Sequence, residues 1–164
     1  MAISGLVITY NEEKNIGKCI DALFEVCDEV IIVDSLSADN TVKIAEEKGA
    51  KVISQKFLGD GPQRTHGLPF CKNDWILNLD ADEFLDKDAK EFILKGKYLE
   101  GNYDAFSFRV KNFLADELID FSGWYPDHKV RFFNKKTAKP SEAKVHQKIE
   151  TTNEKKVAVH ILHY

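Results

Sequence analysis

Apolar positions in the first half of the chain alternate between short continuous runs and helical stripes. Residues 3–9 form a nearly unbroken apolar run, the pattern of a strand buried on both faces. Ile16, Cys19, Ile20, Leu23, Phe24 and Cys27 then recur at helical spacing and make one stripe. Asn11 is placed to cap this helix, with Glu12 and Glu13 in a first turn where the dipole favours acid. Residues 30–33 read as a second buried strand. Ser37 or Asp39 is expected to cap the next helix, which Gly49 closes with Lys48 in its last turn. Val52 and Ile53 mark a third strand, and residues 75–79 a fourth. Between those two, Pro62, Gly67 and Pro69 predict a short helix and a loop. Such alternation of strand and helix predicts a parallel sheet with right-handed crossovers.

The pattern changes after residue 100. A helix is expected over 86–95 with Phe92 and Ile93 inward. Strand-like runs then follow at 105–110, 129–133, 145–149 and 157–162, separated by loops instead of long helices. These predict a mixed or antiparallel extension of the same sheet. The expected organisation is one domain over 1–164, with a parallel half to residue 100 and a second half from 101.

Composition narrows the class. At 164 residues, with 43% apolar and 30% charged, the chain can bury a core and reads as neither disordered nor membrane-spanning. A net charge of −4 gives no reason to expect nucleic acid as a partner. The first eight residues read as a strand and not as a signal peptide. Cys19, Cys27 and Cys71 lack metal-site spacing and read as reduced thiols, which points to the cytosol. Cys19 falls on the apolar helix stripe, where packing is its expected role.

The chemistry concentrates at Trp75-Ile76-Leu77-Asn78-Leu79-Asp80-Ala81-Asp82-Glu83. Neighbouring side chains of a strand point to opposite faces, so Asp80 and Asp82 are expected to share one face. They lie at the strand's end, the edge of an open α/β sheet where ligands bind. Two like charges this close call for a hard divalent cation, Mg²⁺ or Mn²⁺, bridging to phosphate. The plain alternative is a solvated acidic turn. The first strand–helix turn, Thr9-Tyr10-Asn11-Glu12-Glu13, has no glycine, so phosphate is not cradled there in the Rossmann or Walker manner. Tyr10 offers either a flat face to a base or a half-buried loop aromatic. Asp34, at the same sheet edge, is placed to accept from a uracil N–H or a ribose hydroxyl. Arg64 is either a partner for a diphosphate oxygen or a solvated surface arginine. Trp124 and Tyr125 read as a sugar-stacking platform or as core packing. An aspartate pair also suggests a phosphatase of the haloacid dehalogenase type, but that fold wants it on the first strand, and here it follows the fourth.

In order and spacing, residues 6–13, Val33-Asp34-Ser35 to Thr41, Gln63-Arg64, and Asp74-Trp75 to Asp82-Glu83 resemble family 2 inverting glycosyltransferases. Residues 123–127, Val130-Arg131-Phe132-Phe133, Val145-His146 and Leu162-His163-Tyr164 look like a narrower branch. It includes bacterial β-1,4-glucosyltransferases acting on the lipopolysaccharide inner core. The resemblance covers nearly the whole chain.

It implies a GT-A-like α/β fold: a parallel nucleotide-binding sheet flanked by helices (1–100), joined to a mixed acceptor-side half (101–164). Thr9, Tyr10 and Glu12 would line the nucleoside pocket, Asp34 would contact the base, and Arg64 would lie by the diphosphate. Asp82, with Asp80 close by, would hold Mn²⁺ or Mg²⁺, and His163 would complete the site or remain a strand-end histidine. The implied reaction moves a hexose from a nucleotide sugar, expected to be a UDP-sugar, to a glycan or lipid-linked acceptor in envelope polysaccharide or lipopolysaccharide assembly. It is a single displacement that needs leaving-group stabilisation and a general base. A lipid acceptor would require peripheral contact with the inner face of the plasma membrane by an otherwise cytoplasmic protein.

Where the branch carries the base glutamate, this chain has Gln147, and an amide takes no proton at neutral pH. Asp127 and Glu142 are the remaining candidates. The alternative reading is a catalytically weak nucleotide-sugar-binding module. The branch also continues past Leu-His-Tyr with helical segments, so the resemblance implies an acceptor half shortened at its C-terminus.

Overall fold

The computed structural model describes residues 2–119, 127–144 and 148–164. Its first half runs β1 (Ile3–Thr9), α1 (Ile16–Phe24), β2 (Glu29–Asp34), α2 (Thr41–Glu47), β3 (Lys51–Ser54), α3 (Asp60–Gly67) and β4 (Trp75–Asn78). β2 pairs with β1, β3 with β2, and β4 with the other edge of β1, all in parallel. The second half adds β5 (Glu83–Leu85), α4 (Lys87–Leu94), β6 (Ala105–Leu114), β7 (Glu117–Ile119), β8 (Asp127–Asn134), β9 (Lys139–Pro140), β10 (Ile149–Glu150) and β11 (Glu154–His163). β8 joins β4 antiparallel, β6 joins β8 antiparallel, β11 joins β6 in parallel, and β5 closes the edge antiparallel to β11. Among the described residues, one sheet therefore runs β3-β2-β1-β4-β8-β6-β11-β5, with β7 on β6. The expected mixed extension is present, in the same sheet.

Both faces of that sheet are covered, and this explains the unbroken apolar runs. Val7, Ile32, Leu77 and Phe132 pack on one side with the α1 stripe. Their neighbours Leu6, Ile31, Ile76 and Phe133 belong to the other side. Alternation along each strand thus sends successive apolar residues into two separate cores. The α1 stripe is as expected, with Ile16, Cys19, Ile20 and Leu23 buried. Burial pushes the thiols of Cys19 and Cys71 up to about 12 and that of Cys27 higher still, so these are packing groups. The Asp86 carboxylate accepts the Ala89 N–H at 2.8 Å and caps α4, which buries Ile93 and sets Phe92 against Phe106. None of the helices among the described residues is long and apolar enough to cross a membrane.

Asn11 is not a helix cap. It sits at φ 51, a left-handed position that asparagine tolerates, and α1 starts only at Ile16. Its Oδ1 accepts the Ala38 N–H and its own N–H donates to Ser37 Oγ, both at 2.8 Å. Glu13 adds a bond from the Asn40 N–H. The polar residues of the first loop thus lace it to the second instead of starting a helix. The N-cap of α2 is Asn40 and not Ser37 or Asp39; Asp39, one position earlier, accepts the Thr41 N–H at 2.9 Å. Gly49, at φ 89, follows that helix as expected.

α3 opens against the second half of the chain. Asp60 N–H donates to the Lys144 carbonyl and Gly61 N–H to the Ala143 carbonyl. A Cβ on Gly61 would lie 1.8 Å from the Ser141 carbonyl oxygen. Gly61→Ala is therefore expected to lower stability by about 1–3 kcal/mol, the usual cost of forced overpacking, read as a shift in the urea midpoint. An unchanged midpoint would refute this contact.

Candidate active site

β4 ends at Asn78, so Asp80 and Asp82 do not share a strand face as the alternation predicted. The chain turns at Asp80, whose carbonyl accepts the Glu83 N–H. Glu83 Oε1 in return accepts the Asp80 N–H at 2.9 Å. This reciprocal pair fixes the turn and points the two aspartates to different partners. Nor does Asp80 await a cation to relieve it. Arg64 Nη2 donates to Asp80 Oδ1 at 2.7 Å, and Arg131 Nη2 stands 3.8 Å from Oδ2. Burial alone would raise the Asp80 carboxyl, but the two guanidinium groups outweigh it and hold it below the usual carboxylate range.

Arg64 is 4% exposed, which removes the solvated-surface reading. Its Nη1 donates to Asn78 Oδ1 at 2.7 Å, so one guanidinium ties the end of β4 to the turn beyond it. Arg131 lies across the turn on β8 and makes a bidentate pair with Glu83, Nε to Oε1 at 3.0 Å and Nη2 to Oε2 at 3.1 Å. Sequence reasoning gave Glu83 and Arg131 no role. The available signal was a lone arginine inside the apolar run Val130 to Phe133.

Asp82 faces the other way, toward the end of β11. Its Oδ2 lies 3.1 Å from His163 Nε2. Two features of the backbone bring them together. β5 pairs with β11 so that Glu83 opposes His163, and the Tyr164 N–H donates to the Asp82 carbonyl at 3.1 Å. The hydrogen bond to Asp82 raises the imidazole pKa above its ordinary value, against the ring's partial burial. Mn²⁺ or Mg²⁺ fits this pair. One carboxylate and one imidazole supply an oxygen and a nitrogen donor, a set that suits Mn²⁺ better than Mg²⁺, and leave most positions for diphosphate and water. Among the described residues no third His, Cys, Asp or Glu joins them.

Two clefts meet here. One, of about 330 Å³, is lined by Thr9, Tyr10, Glu12 and Phe57, with Arg64, Asp80 and Asp82 at its inner end. The rings of Tyr10 and Phe57 are 60% and 53% exposed, so both offer flat apolar area at its mouth. Asp34 stands behind this wall. It is 1% exposed and accepts from Thr9 Oγ1 at 2.9 Å, Ser37 N–H at 2.8 Å and Ser37 Oγ at 2.6 Å. In this conformation it shapes the loop and presents no open carboxylate, in contrast to the direct contact expected of it.

The second cleft, of about 540 Å³, shares Arg64 and Asp80 with the first. Asp127, Lys129, Arg131 and Lys148 line it from the second half of the chain. Asp127 is thus brought to the site. Glu142 is not: it is exposed and lines neither cleft. Trp124, Tyr125 and Gln147 lie outside the described residues, as do Val145 and His146 of the expected strand over 145–149.

Residues 4–149 match the family model for glycosyl transferase family 2. The chain is 48% identical over 91 residues to an uncharacterized glycosyltransferase of Rickettsia felis, covering 56% of this chain and 32% of that protein. It is 36% identical over 98 residues to the lipopolysaccharide core biosynthesis glycosyltransferase LpsC of Rhizobium meliloti, covering 57% of this chain and 36% of LpsC. The chain spans about a third of the length of these curated relatives. S. aureus TarS 1-349 superposes over 99% of this chain and 60% of its own with a TM-score of 0.69, at 18% identity, which speaks for the fold. Its complex with UDP-GlcNAc aligns at 26% identity and a TM-score of 0.59, over 73% of this chain and 37% of that one. Glucosyl-3-phosphoglycerate synthase from Mycobacterium tuberculosis, solved with Mn²⁺, UDP and glucosyl-3-phosphoglycerate, aligns at 29% identity and a TM-score of 0.51, over 68% of this chain and 43% of that one.

Proposed function

This chain belongs to glycosyl transferase family 2 with a GT-A-like fold, and from that premise we propose that it transfers a hexose from a UDP-sugar to a glycan or lipid-linked acceptor. The acceptor belongs to lipopolysaccharide or related envelope polysaccharide assembly, a reading supported by the likeness to LpsC. The work is done at the cytoplasmic face of the membrane. The observation that carries the reading is Asp82, bonded to His163, in the lining of a cleft walled by Thr9, Tyr10 and Glu12.

In this reading residues 1–100 hold the donor and 101–164 present the acceptor. Tyr10 stacks on the base, and Thr9 and Glu12 flank the nucleoside. Asp34 supports that wall through Thr9 and Ser37. Asp82 and His163 hold Mn²⁺ or Mg²⁺, which when bound supplies charge stabilisation to the departing diphosphate. Asp80, kept ionised by Arg64 and Arg131, offers a fixed acceptor beside the donor. Asp127 takes the proton of the acceptor hydroxyl as its oxygen attacks the anomeric carbon. The bond to the diphosphate breaks on the opposite face, so the configuration inverts.

Calorimetric titration with UDP, with and without Mn²⁺, tests this. Binding is expected to require Mn²⁺ for its full strength, and Asp82→Ala to lose the metal-dependent part. Metal-dependent binding that survives Asp82→Ala would overturn the cation assignment. Gln147 favours a second reading, a nucleotide-sugar-binding module without turnover. Both readings predict UDP binding, and release of UDP from a UDP-sugar belongs to the first alone.

A further inference from the structure

Three buried polar atoms without partners lie together on the second half of the sheet. Among the described residues, Ser107 Oγ, Arg109 Nε and His128 Nδ1 are buried and make no hydrogen bond. Ser107 and Arg109 are two positions apart on β6, so they share a face. Arg109 pairs with His128 of β8, and Ser107 with Val130. Residues directly opposite each other on paired strands send their side chains to the same face. His128 and Val130 both line the larger cleft, of about 540 Å³. The three atoms therefore gather beside that cleft. A buried donor without an acceptor is costly, so their meeting calls for a ligand that supplies acceptors.

Charge says which kind. On its other side Arg109 pairs with His160 of β11, so His160, Arg109 and His128 make one row of basic side chains across three strands. Like charges directly opposite each other are unfavourable. Asp86 Oδ2, 3.3 Å from His160 Nδ1, answers only the far end of the row. Burial and the field of Lys111 hold the His160 imidazole below its ordinary value, with Arg109 adding to the effect and Asp86 opposing it. The neighbourhood is thus positive, and a guanidinium presents a planar fork that fits an oxyanion. We propose that this row is an oxyanion subsite of the larger cleft: the acceptor carries a phosphate or carboxylate group, which Arg109 grips through its Nε edge, His128 through an Nδ1–H and Ser107 through its hydroxyl. The subsite half stands on the unpartnered atoms; the acceptor half rests on this cleft taking the acceptor, as proposed above.

Titration of the chain with glucose 6-phosphate, glucuronate and glucose, with UDP present to fill the donor cleft, tests the subsite. Side-chain ¹⁵N NMR follows Arg109 Nε–H and the His128 ring. At least one acidic sugar is expected to bind about 10–100-fold more tightly than glucose and to shift the Arg109 signal. Which of the two binds better tells phosphate from carboxylate. Arg109→Gln is expected to remove the preference, with a urea midpoint no lower than that of the wild type. Should that variant fail to fold, His128→Gln serves the same comparison. Equal affinity of the wild type for the three sugars, or a preference that survives in the folded variant, overturns the subsite. UDP release from UDP-glucose with each sugar present tests the acceptor half. It is expected to rise with the favoured acidic sugar, and Arg109→Gln to raise the KM for that sugar more than it lowers kcat. Acid-selective binding with release that no sugar accelerates would overturn the acceptor half and leave the subsite standing. No UDP release by the wild type under any condition would overturn the transfer reading itself, with the sugar titration still deciding the subsite.

Discussion

Glu83→Leu is expected to destabilise the fold by about 3–5 kcal/mol, the largest stability loss of any single change at the site. Glu83 is 1% exposed and Arg131 7%, so neither charge can turn to solvent when the other is removed. Arg131 would exchange two short bonds to Glu83 for its 3.8 Å approach to Asp80. The Asp80 N–H would lose its acceptor at the same stroke. A buried ion pair contributes little net stability, because desolvation offsets attraction, yet removing one partner strands the other. The double variant Glu83→Leu, Arg131→Met should therefore recover much of the loss. Urea denaturation of the two single variants and the double one measures the coupling. A loss below about 1 kcal/mol in Glu83→Leu would show that the pair behaves like a surface contact and that this account of the knot is wrong.

What could be read from the sequence follows the physics of each signal. Apolar runs gave β1, β2 and β4 because most side chains there are buried on one face or the other, as Leu6 and Val7 illustrate by entering opposite cores. The stripe from Ile16 to Leu23 gave α1 for the same reason. Polar residues were read less well, since their partners come from distant parts of the chain. Asn11 fits a local capping pattern, but the second loop competes for its amide and wins. Alternation beyond Asn78 misplaced Asp80 because the ladder between β1 and β4 runs out at the Leu6–Asn78 pair, and a side-chain bond to Glu83 takes over. β5 spans three residues, too few to show a period. Arg64 belongs to a mostly polar helix, where periodicity carries no sign of a buried guanidinium. The meeting of Asp82 and His163 came from family resemblance alone, since it takes the pairing of β5 with β11 and the Tyr164 N–H bond to Asp82 to bring positions 82 and 163 together.

Asp127→Asn should lower turnover by about 10²–10⁴-fold, the contribution of a general base, and leave UDP affinity unchanged. Asp127 opens β8 and lines the larger cleft with Lys129 and Arg131, and it is absent from the lining of the smaller one. A carboxylate there can take a proton from a hydroxyl held in the cleft, and an amide of the same shape cannot. The substitution thus removes the proton acceptor and little else. UDP release from UDP-glucose or UDP-GlcNAc reads the rate, with water standing in for the acceptor hydroxyl. Glu142→Gln serves as the control and should turn over normally, because Glu142 is exposed outside both clefts. Gln147→Glu separates the two functional readings. If it raises turnover while Asp127→Asn does nothing, the base belongs at position 147 and the native chain is a weak catalyst or a binding module. If Asp127→Asn abolishes release and Gln147→Glu leaves it unchanged, the base is Asp127.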